Sequence, residues 1–281
     1  MNIQIIQVPY DSGHESLRTG RGPDHFMQRG VEKILRDSGH QVASYRLRSN
    51  SSWKADIETT FELDRLIAEQ VGNAIAAGRF PFVLAGACNS CVGTLAGTGQ
   101  DSRGLVWFDA HGDFNTPETT TSGMLDGMGL AMAAGRCWSA LLKTVPGFTP
   151  VPEANIIHIG GHDFDSQEGV QLRGSDIQLI GPDTDIESMR QTLGAALATL
   201  RKRVKRVYVH MDLDVLDTGE AMANHAAIPG GLSVDFVEEA IGMIKERFEV
   251  CAGAIASFDP DYDKDDRVLN AGIGIMKAIL A

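Results

Sequence analysis

Short apolar runs alternate along this chain with stretches of helical periodicity, and this alternation constrains the fold more than any other feature. The segments Ile3–Val8, Val42–Leu47, Phe82–Ala85, Leu105–Asp109, Ile156–Gly160, Ile177–Leu179, Val207–Asp212 and Ala254–Phe258 read as strands. Between them, Leu63, Leu66, Ile67, Val71, Ala74 and Ile75 follow a period of about 3.6 residues. So do Val237, Ala240, Ile241 and Ile244, which open after Ser233 as an N-cap with acidic residues in the first turn. Strands that alternate with helices demand a mostly parallel sheet covered on both faces. No repeat or linker interrupts the pattern, and the stretch from Pro146 to Pro152 is too short to separate a pair of domains. One α/β domain over residues 1–281 is predicted, with ligands expected beyond the C-terminal ends of its strands.

The composition narrows the functional classes. With 31 glycines, 10 prolines and 43% hydrophobic residues in 281, the chain is neither collagen-like, low-complexity nor disordered. Lys and Arg total 25 against 37 Asp and Glu, and the net charge of −12 argues against nucleic acid or an anionic membrane as partner. The basic cluster Arg201, Lys202, Arg203, Lys205 and Arg206 reads as a helix C-terminus offsetting its own dipole. No apolar stretch approaches the roughly 20 residues of a membrane span. The N-terminus reads as a strand rather than a signal peptide. Four cysteines in a chain of this length do not make a disulfide framework. A cytoplasmic location is expected.

Two segments carry chemistry. Trp107 to Asn115 begins as a strand and continues D-x-H-x-D through Asp109, His111 and Asp113. Val209 to Val215 begins as a strand and ends D-x-D at Asp212 and Asp214. Alternate side chains of an extended chain share a face, so each set converges. Neighbouring strands would gather four carboxylates and an imidazole, a charge density that a bound cation relieves. Oxygen-rich ligands with one imidazole suit Mn²⁺ better than a structural zinc, and carboxylates can bridge a metal pair. A lone D-x-D would read as turn chemistry.

The segment Asp109 to Gly123 resembles the signature of the arginase/agmatinase superfamily, the manganese ureohydrolases. The resemblance extends to Gly20-Arg21-Gly22-Pro23, to Gly160 through Asp165, to Asp212 through Asp217, and to Pro229 through Ser233. It implies a three-layer α/β/α fold with an eight-stranded, mostly parallel sheet, and a homo-oligomer, trimer or hexamer. It implies two Mn²⁺ ions held by Asp109, His111, Asp113, Asp212 and Asp214, with Asp109 and Asp212 bridging. Asn115 and Ser122 would contact a substrate α-carboxylate, and Asp165 an α-amino group. The plainer roles are turn residues for Asn115 and Ser122 and an N-cap for Asp165.

Three positions depart from the family pattern. Gly86-Ala87-Cys88-Asn89-Ser90 stands where the family has G-G-D-H-S, which puts Asn89 in place of a histidine ligand and leaves one bound metal as an alternative to two. An amide oxygen is a weaker ligand than an imidazole. Cys88, His210 and His225 are alternative contributors; the plainer role of His210 is a hydrogen-bonded histidine near the site. At Leu125-Asp126-Gly127 arginase carries a histidine credited with proton shuttling, a role Asp126 can take. At Ser257-Phe258-Asp259-Pro260 the family reads E-x-N-P. Ser257 therefore removes the glutamate that pairs with a guanidinium, and Asp259 is the candidate to inherit some of that role.

The expected activity is hydrolysis of a C–N bond in a guanidino or amidino amino acid, giving a urea-type product and an amine. Around His111 to Thr120 the chain is also similar to the Nω-hydroxy-L-arginine amidinohydrolase of cycloserine biosynthesis, which makes hydroxyarginine the first substrate to test. The alternatives are a non-catalytic or single-metal member that binds an amino acid, and an enzyme regulated through Cys88-x-x-Cys91.

Overall fold

The computed structural model describes residues 1–50, 55–99, 103–183 and 185–281. Its strands are β1 (Asn2–Val8), β2 (Tyr10–Asp11), β3 (His14–Glu15), β4 (Gln41–Arg46), β5 (Phe80–Ala85), β6 (Arg103–Phe108), β7 (Ile156–Ile159), β8 (Gln178–Ile180), β9 (Arg206–Asp212) and β10 (Glu249–Ala256). Its helices are α1 (Gly22–Gln28), α2 (Val31–Asp37), α3 (Asp56–Ala76), α4 (Cys91–Gly97), α5 (Gly129–Ala133), α6 (Ser139–Leu142), α7 (Ser166–Arg173), α8 (Ile186–Arg201), α9 (Val234–Lys245) and α10 (Arg267–Leu280).

Eight strands form one sheet in the order β4-β1-β5-β10-β9-β6-β7-β8. Every pairing in it is parallel. Each expected strand is present. The largest shift is at β10, which runs from Glu249 to Ala256. Ser257 takes a φ of +63°, a left-handed conformation that cannot continue a strand.

The period of two along each strand sorts the core into two layers. On β6 and β9, Val106, Phe108, Val207, Val209 and Met211 join one core with residues of α8, α9 and α10, while Leu105, Trp107 and Tyr208 join the other with residues of α3, α4 and α5. Side chains cap the two long helices that follow β8 and precede β10. Ser233 Oγ accepts the N–H of Phe236 at the start of α9, and Asp185 accepts those of Glu187 and Ser188 at the start of α8. Arg201 lies in the last turn of α8, as the basic cluster suggested, whereas Arg206 belongs to β9. Gly93 lets α4 close onto α3, since a Cβ there would lie 2.5 Å from the carbonyl oxygen of Asp64. Among the described residues no helix is long and apolar enough to cross a membrane.

The sequence pattern gives no sign of a small hairpin that the structure contains. β2 and β3 pair antiparallel around Ser12 and Gly13, both with positive φ, the geometry of a tight two-residue turn. It carries Asp11 to the rim of the site described next.

Candidate metal centre and active site

The four central strands β5, β10, β9 and β6 are neighbours, and all of them end at the same edge of the sheet. The pairing of Trp107 with His210 and of Phe108 with Met211 leaves the next residues on each strand, Asp109 and Asp212, side by side. Parity puts both on the face that carries Trp107 and Tyr208. Beyond β6 the chain is held by a bridge between His111 and Asp163 and by Glu168 of α7, which accepts the N–H of Phe114 at 2.8 Å. Gly112 is needed here because a Cβ would lie 2.6 Å from the Glu168 carboxyl carbon. Asp113 takes a φ of +47°, an uncommon conformation for a residue with a side chain.

These constraints gather the side chains. Carboxylate oxygens of Asp109 and Asp113 lie with the Cys88 sulfur within 4.8 Å of one another, and Asp109, His111 and Asp214 form a second group of the same tightness. Asp109 belongs to both. His111 Nδ1 is 3.4 Å from Asp109 Oδ1 and 3.4 Å from Asp214 Oδ2. The thiol of Cys88 donates to Asp212 Oδ2 at 2.9 Å, and Asp212 Oδ1 accepts the N–H of Asp214 at 2.8 Å.

The electrostatics call for cations. Burial, reinforced by the neighbouring carboxylates, pushes the pKa values of Asp113 and Asp212 well above the usual range. Burial alone would lower the pKa of His111, but hydrogen bonds to Asp109 and Asp214 outweigh it and raise the imidazole strongly. Asp113 Oδ2 and Asp214 Oδ1 are buried with no hydrogen-bond partner. Orphaned carboxylate oxygens beside a thiol and an imidazole form a donor set that divalent cations fit.

Above this floor lies a cavity of about 240 Å³, lined by residues that include His111, Asp113, Asn115, Ser122, Asp126, Asp165, Asp212, Asp214, His225 and Ser257. Asp165 caps α7 through a reciprocal capping box with Glu168 and accepts the Asn115 amide at 3.1 Å. Ser122 Oγ accepts the N–H of Met124. All three face the cavity while also serving the plainer roles. Asp126 accepts the N–H of Cys88 at 2.5 Å, and burial raises its pKa to about 7.

The whole chain, residues 1–281, matches the model of the arginase family. This chain belongs to that family. The arginase of Bacillus caldovelox is 28% identical over 298 residues, spanning 99% of this chain and 97% of the relative. That of Brevibacillus brevis is 26% identical over 99% of this chain and 97% of its own. The crystal structure of arginase from Bacillus cereus superposes with a TM-score of 0.89 at 27% identity, covering 100% of this chain and 99% of the other.

Against the family's ligand pattern, two expectations need correction. Asn89 does not join the carboxylates. It lines a separate cavity of about 20 Å³ with Ser12, Thr60, Asp64 and Ser90. The neighbouring Cys88, first residue of the turn Cys88–Ser90, reaches the centre instead, with its sulfur 2.9 Å from Asp212 Oδ2. Sliding G-G-D-H-S by one residue, onto Ala85 through Asn89, puts Cys88 in the histidine's place; that register was available in the sequence. Asp259 does not face the cavity either. Its carboxylate receives Arg21 Nη2 at 2.6 Å and the N–H of Asp261, so it is held as a structural ion pair.

The remaining candidates are also placed. His210 is buried, stacked on Trp107 and bonded through Nδ1 to the Tyr208 hydroxyl at 2.7 Å. Burial lowers its pKa to about 3, so it stays neutral. Cys88 and Cys91 are free thiols that donate to different acceptors, Asp212 and the carbonyl of Gly129. Burial pushes both thiols well above their ordinary pKa, the reverse of an activated redox pair. Cys88, one of the alternative contributors to the centre, is the one grouped with its carboxylates; the residues missed from sequence are Glu168 as the brace and Asp11, Asn224 and Asp163 in the cavity wall.

Proposed function

We propose that this arginase-family chain is a metal-dependent amidinohydrolase acting on an arginine-derived amino acid, with Nω-hydroxy-L-arginine as its leading substrate. The observation that carries the reading is the pair of ligand groups joined at Asp109 on the floor of a cavity whose wall holds Asn115, Ser122 and Asp165. Asp109, Asp113 and Asp212 with Cys88, and Asp109, Asp212 and Asp214 with His111, are the residues that would hold two divalent ions. Mn²⁺ suits the oxygen-rich ligands. When bound, such ions lower the pKa of water and polarise the amidino group.

The chain's own residues supply the rest. Asn115, Ser122 and Asp165 hold the amino-acid end of the substrate, a zwitterion whose amine meets the Asp165 carboxylate. That grip leaves the amidino end at the carboxylate floor. Asp126 takes a proton from the attacking water and returns it to the leaving amine, as the C–O bond forms and the C–N bond breaks. Ser257 stands where the family's glutamate pairs with the guanidinium. With no carboxylate there, a plain guanidinium loses its charge-assisted partner, and an N-hydroxylated guanidine, less basic and larger, is favoured. We read the protein as a cytoplasmic homo-oligomer, a trimer or hexamer, which light scattering on the purified chain would measure.

The test is a substrate panel on protein reconstituted with metal. Nω-hydroxy-L-arginine, L-arginine and agmatine are assayed for the released amine. Turnover of the hydroxylated substrate above a metal-stripped control is expected. No turnover of any guanidino compound would leave an amino-acid-binding protein as the reading.

A further inference from the structure

A second group of buried polar atoms lies apart from the carboxylate floor. A cavity of about 20 Å³ sits between α3, the hairpin turn at Ser12 and Gly13, and the turn Cys88–Ser90. Asp64 and Ser90 line it at 1% and 4% exposure, and Asp64 Oδ2 and Ser90 Oγ are both buried with no hydrogen-bond partner. The other Asp64 oxygen is taken by the N–H of Gly93 at 3.0 Å. Arg65 and Cys91, which act on Asp64 through their charge, are committed elsewhere: Arg65 donates to the Thr144 hydroxyl and the Cys91 thiol to the carbonyl of Gly129. The Tyr10 hydroxyl, in the same wall, accepts the N–H of Ser49. Thr60 and Asn89 add a hydroxyl and an amide to the lining.

We infer that this cavity is a binding site for one bare monovalent cation close to water in size, K⁺ or NH₄⁺, held between Asp64 Oδ2 and Ser90 Oγ. Two orphaned buried oxygens beside one cavity call for an occupant. The space suits a single water-sized body. A neutral water would supply hydrogen bonds and leave the carboxylate charge buried without a partner, which is costly. A divalent ion gives up its waters reluctantly, and the cavity has no room for them. A K⁺ ion, by contrast, exchanges its hydration shell for protein oxygens. The ion takes the place of the proton that burial otherwise keeps on Asp64, and that proton leaves to solvent. Once seated, the ion ties α3 to both turns, one of which carries Asp11 to the rim of the large cavity and the other Cys88 to its floor. The inference is independent of the divalent centre and of the reaction.

The test uses the full chain with the Mn²⁺ concentration held constant. Thermal melting at about pH 8 is compared in the nitrates of K⁺, NH₄⁺, Li⁺ and choline at equal ionic strength. K⁺ and NH₄⁺ should raise Tm by about 2 °C or more over choline, in proportion to the logarithm of their concentration, and Li⁺, too small to span the two oxygens, should not. Asp64→Asn, which keeps the shape and removes the charge, should abolish the difference, and Ser90→Ala should shrink it. Crystals of the wild type soaked in thallium(I) nitrate, whose cation mimics K⁺, should show an anomalous-scattering peak between Asp64 Oδ2 and Ser90 Oγ, a readout that stands whatever the variants do. Equal melting in all four salts with no thallium peak would overturn the inference and leave a water beside a protonated Asp64. An ion effect that survives in Asp64→Asn would overturn it by placing the ion elsewhere.

Discussion

The indole of Trp107 lies flat against the imidazole of His210, with ring centroids 3.8 Å apart, and its N–H donates to Asp109 Oδ2 at 3.0 Å. The other oxygen of Asp109 accepts the N–H of His111 at 2.7 Å. Both oxygens of the carboxylate shared by the two ligand groups are therefore oriented by near neighbours in the sequence. Trp107→Phe keeps the apolar ring and deletes the donor. A lost hydrogen bond to a buried charged group costs about 1.5–3 kcal/mol, and removing a ligand's supporting partner typically weakens metal binding about 10- to 100-fold. Thermal melting and a chelator-competition titration should show both losses. Unchanged metal affinity would make Trp107 a packing residue only.

Asp126, the proton carrier of the proposed reaction, lines the cavity with one carboxylate oxygen on the N–H of Cys88. Burial raises its pKa to about 7, and bound cations would pull it lower. It accepts a proton only when ionised, so activity should rise with pH through that pKa, with the acid limb of the loaded enzyme below about 7. Asp126→Asn keeps the acceptor oxygen but cannot take a proton. Its kcat should fall about 10²- to 10⁴-fold and the acid limb should disappear. A variant that kept the wild-type profile would assign the shuttle elsewhere.

Asp64 is buried in α3, where Oδ1 accepts the N–H of Gly93 at 3.0 Å and Oδ2 has no partner beside the 20 Å³ cavity. Burial pushes its pKa well above the ordinary carboxyl range. Such a carboxyl holds its proton in the folded chain after the unfolded chain has lost it. Stability is therefore fully present below about pH 4 and falls as pH rises toward the folded pKa, by up to about 1.4 kcal/mol per unit. Asp64→Asn mimics the protonated form. Denaturant unfolding at about pH 5 and 7 should show the wild type losing stability relative to the variant. Asp64→Ala, which strands the Gly93 N–H, should be less stable than Asp64→Asn by about 1–3 kcal/mol at either pH.

The legible regions of this molecule are those governed by local chemistry. All eight strands of the sheet are visible in the sequence because buried parallel strands are apolar runs, and Asp109 and Asp212 because parity carries a strand's face into the residues that follow it. The Asn89 assignment fails by one residue because a short turn has no periodicity to fix its register. The role of Asp259 is hidden because its partner Arg21 lies 238 residues away, a pairing that only the folded sheet brings about. The β2–β3 hairpin escapes notice because strands of two residues leave no pattern.

Ser257 offers the sharpest test of specificity. Its φ of +63° turns the chain out of β10, its carbonyl accepts the Asn224 amide at 2.8 Å, and its hydroxyl lies 3.5 Å from the Cys88 sulfur, at the cavity wall. A glutamate at this position would return a carboxylate to where the family pairs one with a guanidinium. A charge-assisted hydrogen bond of about 1.5–3 kcal/mol corresponds to a preference of about 10- to 100-fold. Ser257→Glu should raise kcat/KM for L-arginine relative to Nω-hydroxy-L-arginine by that factor. Ser257→Gln, of equal size and no charge, should shift the ratio little. If both variants move the ratio alike, the space beside Ser257 and not the missing charge sets the preference. If neither moves it, discrimination lies elsewhere in the wall, with Asn224 and His225 the next residues to replace.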